Sequence, residues 1–141
     1  MSKLAVVYWT GTGNTEQMAA EVAAGAREKG AEAEVLHCSA FDAADCAGYD
    51  AFAFGCPAMG AEELEDAEFE PVFSACLPNL KGKKLGLFGS YGWGDGEWMR
   101  GWEDACRQGG AEPDTESVIC CGAPDGDAAA KLRAMGAALA G

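Results

Sequence analysis

Five short apolar runs recur along the chain, and stretches of helical periodicity lie between and after them. The runs are KLAVVYW (3–9), EAEVLH (32–37), AFAFGCP (51–57), KKLGLFGS (83–90) and TESVICC (115–121). Residues 13–29 read as an Ala-rich helix with Met18, Val22 and Ala26 on one face and Gly30 as its stop. Residues 42–47 allow one short helical turn. EFEPVFSACL (68–77) predicts a helix with Pro71 in its first turn. Residues 95–108 predict a helix carrying Trp98, Met99, Trp102 and Cys106, and residues 126–140 a last one with Leu132, Met135 and Leu139 inward. Strands that alternate with helices build parallel βαβ units. Both faces of such a sheet are covered, which accounts for a strand as uniformly apolar as Leu85–Phe88. The expectation is an α/β fold in one domain, residues 1–141.

A chain of 141 residues suits one core. No stretch approaches the ~18–20 consecutive apolar residues that a membrane span needs. MSKLAVVYWTG reads as a first strand and not as a signal peptide, so a cytoplasmic protein is expected. The charge of −13 argues against nucleic acid, whose phosphates require a basic footprint. It favours partners with a positive face. Residues 31–80 hold no Lys or Arg and 11 acids, six of them in EELEDAEFE (62–70). Because Leu64 and Phe69 interrupt that run, a structured acidic surface is expected there, contributed by Glu62, Glu63, Glu65 and Asp66. The seven cysteines include no C-x-x-C and stand beside a single histidine, so no metal site is predicted. Most are expected to be buried as small hydrophobes. On a strand, Cys120 and Cys121 point to opposite faces.

Ligands of open parallel sheets bind beyond the C-terminal strand ends, where the strand order reverses. Three loops leave those ends with unusual composition: 9–15, 56–66 and 89–98. WTGTGNT (9–15) follows a strand and opens a helix. Free first-turn N–H groups and the helix dipole favour an anion there. Gly11 and Gly13 let the backbone curl, while Thr10, Thr12, Asn14 and Thr15 supply side-chain donors. The same residues are also ordinary helix caps. A P-loop would need a lysine, and a dinucleotide fingerprint a third glycine in place of Glu16; both are missing. In GSYGWGDGEWM (89–99), Trp93 rides a Gly-rich loop, which suits a ligand platform. Met59 on the loop after the third strand can close the other side of a flat ring, or pack beneath its own loop. A phosphate loop beside an aromatic sandwich fits flavin mononucleotide (FMN).

VVYWTGTGNTEQMA, GCPAMGAEELEDAEFEPVF and KGKKLGLFGSYGWGDGEWMRGWED resemble, in order and spacing, the three signature segments of the flavodoxins, particularly the short-chain clostridial and Megasphaera-type members. The resemblance implies a three-layer fold with a five-stranded parallel sheet in the order 2-1-3-4-5. It implies non-covalently bound FMN and one-electron transfer between redox enzymes, mainly through the low-potential semiquinone/hydroquinone couple, by a monomer. The cofactor-binding positions it marks are Trp9, Thr10, Gly11, Thr12, Gly13, Asn14 and Thr15; Pro57, Ala58, Met59, Gly60, Ala61 and Glu62; and Ser90, Tyr91, Gly92, Trp93, Gly94 and Asp95. Residues 10–15 would hold the phosphate, and Met59 and Trp93 would flank the ring. The Gly60 carbonyl would accept from flavin N5–H, and Glu62 would face N3–H. Ala61 departs from the polar residue many members carry, which leaves the ease of the 60–61 peptide flip open. Implied partners are reductases and oxidoreductases with positive faces. Competing readings are a catalytic FMN-dependent quinone reductase, for which no extra pocket-building segment is seen, and a phosphate-binding interaction module. A phosphorelay receiver would need acids where Trp9, Thr10, Cys56 and Pro57 stand.

Overall fold

A computed structural model describes residues 3–11, 13–59, 64–92 and 96–140. Five strands form one sheet: β1 (Lys3–Tyr8), β2 (Glu32–His37), β3 (Ala51–Gly55), β4 (Lys84–Tyr91) and β5 (Val118–Cys121). Their order is β2-β1-β3-β4-β5 and every pairing is parallel. The helices are α1 (Asn14–Glu28), α2 (Phe69–Cys76), α3 (Glu97–Gln108) and α4 (Gly126–Ala140). Three short 3-10 turns, at 38–40, 43–48 and 77–79, complete the described connections. The expected class, strand number and order are those observed.

Alternation along the strands sorts the core into two layers. Ala5, Val7, Phe52, Phe54, Leu85 and Leu87 face α2 and α3. Leu4, Val6, Ala51, Ala53, Phe88 and Val118 face α1 and α4. Period-2 side-chain direction makes this division unavoidable once a strand is covered on both sides. On the first face the packing is aromatic. Phe54 meets Phe73 edge-on at 5.1 Å, and Trp102 stands edge-on to Phe69 and Phe73, each at 5.5 Å. Trp98, Met99, Trp102 and Cys106 are all buried, as the spacing along α3 predicts.

The second face depends on absent side chains. α1 and α4 cross so closely that a Cβ on Gly136 would fall inside the Val22 carbonyl, and one on Gly25 inside the Arg133 carbonyl. Met18, Ala19, Val22, Ala23 and Ala26 of α1 are buried there against Leu132, Met135 and Leu139 of α4.

Most elements differ from the expected ranges by one or two residues at an end, and two larger differences, at the start of β5 and ahead of α2, have identifiable reasons. β5 begins at Val118 and not at Thr115. Asp114 holds the preceding chain to β4: its N–H donates to the Leu85 carbonyl at 2.8 Å, and its carboxylate accepts the Leu85 N–H at 2.7 Å. Residues 115–117 then cross to where β5 pairs with the far half of β4, from Phe88 onward. The start of α2 is the second case. Glu65, expected on the acidic surface, is buried instead. Its carboxylate accepts the N–H groups of Ala67 (3.0 Å), Glu68 (2.8 Å) and Phe69 (2.8 Å). These are donors that a helix start otherwise leaves unpaired. Burial raises the carboxyl pKa of Glu65, but the three N–H donors outweigh it and hold the group below the ordinary range.

Of the cysteines, Cys38, Cys46, Cys56, Cys76 and Cys106 are buried, Cys120 is half-buried and Cys121 exposed, and all seven are free thiols. The expectation of small buried hydrophobes holds for the first five.

Gly136→Ala is expected to lower stability by about 1–3 kcal/mol, since the helices must separate to admit a methyl group. Urea unfolding with an unchanged midpoint would contradict that packing. Glu65→Ala is expected to cost about 1–2 kcal/mol near neutrality. A carboxylate with a depressed folded pKa stabilises above its unfolded value, about 4.3, and loses that contribution as pH falls through the folded one. The gap between wild type and Glu65→Ala should therefore narrow below about pH 4; a constant gap would contradict the capping role.

Candidate functional site

Parallel pairing brings the C-terminal ends of β1, β3 and β4 to one edge of the sheet. β1 lies between β2 and β3 there, so the chain leaves β1 toward one side and returns on the other. Crevices form at such a reversal. The three segments singled out in the sequence meet at this point.

The first segment is closed on itself. The Thr10 hydroxyl accepts the Gly13 N–H at 2.9 Å. Gly13 has φ +96°, a left-handed conformation that a side chain would strain, and open space lies where its Cβ would project. α1 begins immediately afterwards and has no side-chain cap. Thr10 and Asn14 are both capping types, yet neither serves the helix in that way. Among the described residues no side chain caps this N-terminus. Trp9 continues the β1–β3 pairing, its N–H donating to the Gly55 carbonyl at 3.0 Å. Its indole Nε1–H donates to Glu68 at 3.1 Å, and its ring lies against Gly11.

The second and third segments are joined to the first through Ser90. Thr15, on the first turn of α1, is buried, and its hydroxyl lies 3.3 Å from the Ser90 hydroxyl on β4. The Ser90 carbonyl accepts the Ala58 N–H at 2.9 Å. One buried serine thus ties the start of α1 to the loop after β3. Cys56 strengthens the same junction: its N–H donates to the Phe88 carbonyl and its carbonyl accepts the Trp98 indole N–H, both at 3.2 Å. Tyr91 packs against Trp98 with ring centres 5.8 Å apart. Pro57, Ala58, Met59 and Tyr91 are half-buried at the rim, and Gly92 is exposed.

Among the expected site residues, Trp9, Thr10, Gly11, Gly13, Asn14, Thr15, Pro57, Ala58, Met59, Ser90, Tyr91 and Gly92 stand at this edge. Thr12, Gly60, Ala61, Glu62, Trp93, Gly94 and Asp95 lie outside the described residues. The charge around the edge is acidic. Glu16, Asp66, Glu68, Glu97, Asp125 and Asp127 are exposed near the C-terminal strand ends, whereas Lys3 and Lys81 to Lys84 lie at the opposite ends, where β1 and β4 begin. Burial and the bond to Glu16 raise the pKa of Tyr8, whose hydroxyl donates to that carboxylate at 3.1 Å. Burial, followed by the charges of Glu68 and Glu65, pushes the Cys38 thiol up to about 11. No cluster of described residues could hold a metal ion.

Sequence reasoning missed the inward turn of Glu65, the anchoring of Trp9 on Glu68 and the Cys56 contacts. A signal existed for the first: an acid just ahead of an apolar helical stretch is a capping position. The others are long-range contacts with no local pattern.

A family model described as Flavodoxin matches residues 6–133. Flavodoxin from Megasphaera elsdenii is 52% identical over 106 residues, covering 75% of this chain and 77% of that protein. Flavodoxin from Clostridium beijerinckii is 46% identical over 99 residues, covering 70% and 72%. The solution structure of two-electron reduced Megasphaera elsdenii flavodoxin superposes with a TM-score of 0.84 at 44% identity, covering 97% of this chain and 98% of that one. The chain belongs to the flavodoxin family.

Proposed function

We propose that this protein binds FMN at the C-terminal edge of the sheet and carries single electrons between redox enzymes, itself catalysing no substrate conversion. The observation that carries the reading is the Thr15–Ser90–Ala58 connection, which locks an uncapped helix N-terminus to both neighbouring loops. That arrangement suits a ligand with a phosphate at one end and a flat body at the other. When bound, FMN supplies a ring that takes up and releases electrons one at a time.

The protein's own residues have distinct tasks. The backbone N–H groups at the start of α1, that of Thr15 among them, and the side chains of Thr10, Thr12 and Asn14 would hold the phosphate by dipole and hydrogen bonds and without a cation, while the buried Thr15 hydroxyl stays on Ser90. The open space at Gly13 leaves room for that approach. Met59 and Trp93 would flank the ring and exclude water from its faces. Gly60 would offer a carbonyl toward N5, because a glycine turns its peptide at little steric cost. Glu62 would accept from the pyrimidine edge, and Ala61, Gly94 and Asp95 would complete the wall with Pro57, Ala58, Tyr91 and Gly92. The phosphate without a counter-cation, together with the acidic rim, disfavours a further negative charge on the ring and keeps the lower potential low.

Partners are redox proteins with positively charged faces, drawn by the acidic rim. No described helix is long and apolar enough to cross a membrane. The cytoplasm is the proposed location and the monomer the proposed state.

The test is reconstitution. Apoprotein titrated with FMN should bind one equivalent, and stepwise anaerobic reduction should resolve two one-electron steps in the visible spectrum. A protein that binds no FMN would remove the reading, and a single two-electron step would remove the carrier role. Electron transfer to a basic-faced partner should slow as ionic strength rises through about 0.1 M, where the screening length falls to about 10 Å. Rates independent of salt would overturn the proposed partner chemistry.

A further inference from the structure

One sulfur atom, just past the end of β3, bonds both the residue that follows it and Glu65, nine positions on. Cys56 is wholly buried at the end of that strand. Its thiol accepts the Glu65 N–H at 3.4 Å and donates to the Pro57 carbonyl at 3.5 Å. Pro57 opens the loop and Glu65 closes it. Each anchor is itself fixed. The Cys56 backbone is held by Phe88 on one side and Trp98 on the other. Glu65 is held by three N–H groups on its carboxylate and by the Glu70 N–H on its carbonyl, at 2.9 Å.

The chemistry of the atom suits the task. Only a neutral thiol can accept and donate at once. Burial, opposed by the Glu65 N–H and assisted by the Glu65 and Cys38 charges, pushes the Cys56 thiol up to about 12, so it stays protonated. Sulfur's long bonds let one atom reach two partners that a serine hydroxyl would have to draw closer.

We propose that Cys56 and Glu65 form a clasp across the 57–64 loop, and that Cys56 is a positioning residue setting how Met59 meets the flavin. The proposal rests on the FMN reading above. Cys56 does not touch the cofactor in this scheme; it acts through the separation of the loop's two ends. A thiol serving only as core filler would affect stability alone.

The experiment compares three variants with wild type in FMN titration and potentiometry. Cys56→Ala removes the sulfur, and Cys56→Val fills its space with no hydrogen bond. Cys106→Ala removes the same atoms from the C-terminal part of α3, about two turns beyond the Trp98 that touches Cys56. Both Cys56 variants should bind FMN about fivefold to tenfold more weakly, the scale of one lost hydrogen bond, and both should shift the one-electron potentials. Cys106→Ala should leave affinity and potentials unmoved, whatever it does to thermal stability. Wild-type FMN binding with unchanged affinity and potentials in a folded Cys56 variant overturns the clasp and leaves the FMN reading standing. No FMN binding by wild type overturns both. Should neither Cys56 variant fold, amide hydrogen exchange in wild-type apoprotein decides: the Glu65 N–H is expected to be protected, and rapid exchange there overturns the proposal.

Discussion

All five strands pair in parallel, and that constraint generates most of the architecture. A parallel strand can be followed by its neighbour only after the chain has crossed a face of the sheet. Every crossing deposits cover on one face, so both faces become apolar. Every C-terminal strand end arrives at the same edge. The reversal of direction at β1 then opens a gap at that edge, between segments that no regular element bridges. Ser90 bridges them, through a hydroxyl shared with Thr15 and a carbonyl shared with Ala58. The site is thus a by-product of topology, made precise by a few buried polar contacts.

Those contacts matter because the site must keep unpaired donors available without collapsing. An uncapped helix start invites its own side chains to fill the vacancy. Thr10 is prevented from doing so, since its hydroxyl is committed to the Gly13 N–H. Thr15 is turned inward to Ser90. The loop after β3 is fastened at its base by Cys56 and Glu65, both buried. Rigidity at the base and free donors at the mouth are complementary: a ligand then orders fewer groups when it binds.

The sequence made the fold class and most elements legible, because each strand alternates or is uniformly apolar and each helix repeats at its own period; the strand order came from the family resemblance and not from periodicity. EAEVLH shows period 2 and is β2 to the residue. The helix at 126–140 is α4 to the residue. Periodicity fails where a side chain replaces the ladder. The 115–117 stretch runs straight into the apolar residues of β5, yet Asp114 pins the chain to Leu85 before the strand begins. The glycines at 25 and 136 are equally silent: both sit inside helical patterns, where glycine ordinarily only costs stability. Their purpose is visible only when α1 meets α4.

The acidic run shows where composition stops being informative. Glu65, Asp66, Glu68 and Glu70 are chemically alike and close in sequence. Glu65 turns inward and seats α2, Glu68 takes the Trp9 indole, Glu70 accepts from Ser74 at 2.6 Å, and Asp66 is exposed. What separates them is register relative to the first turn of α2. Three to four residues ahead of Glu68 and Phe69, a carboxylate can reach back over the free N–H groups; one residue further along, it cannot. A segment that reads as one charged surface therefore divides into structure and surface. The inward carboxylate and the outward ones lie within six residues of one another, so the rigidity at the base of the 57–64 loop and the charge on its surface are set by near neighbours.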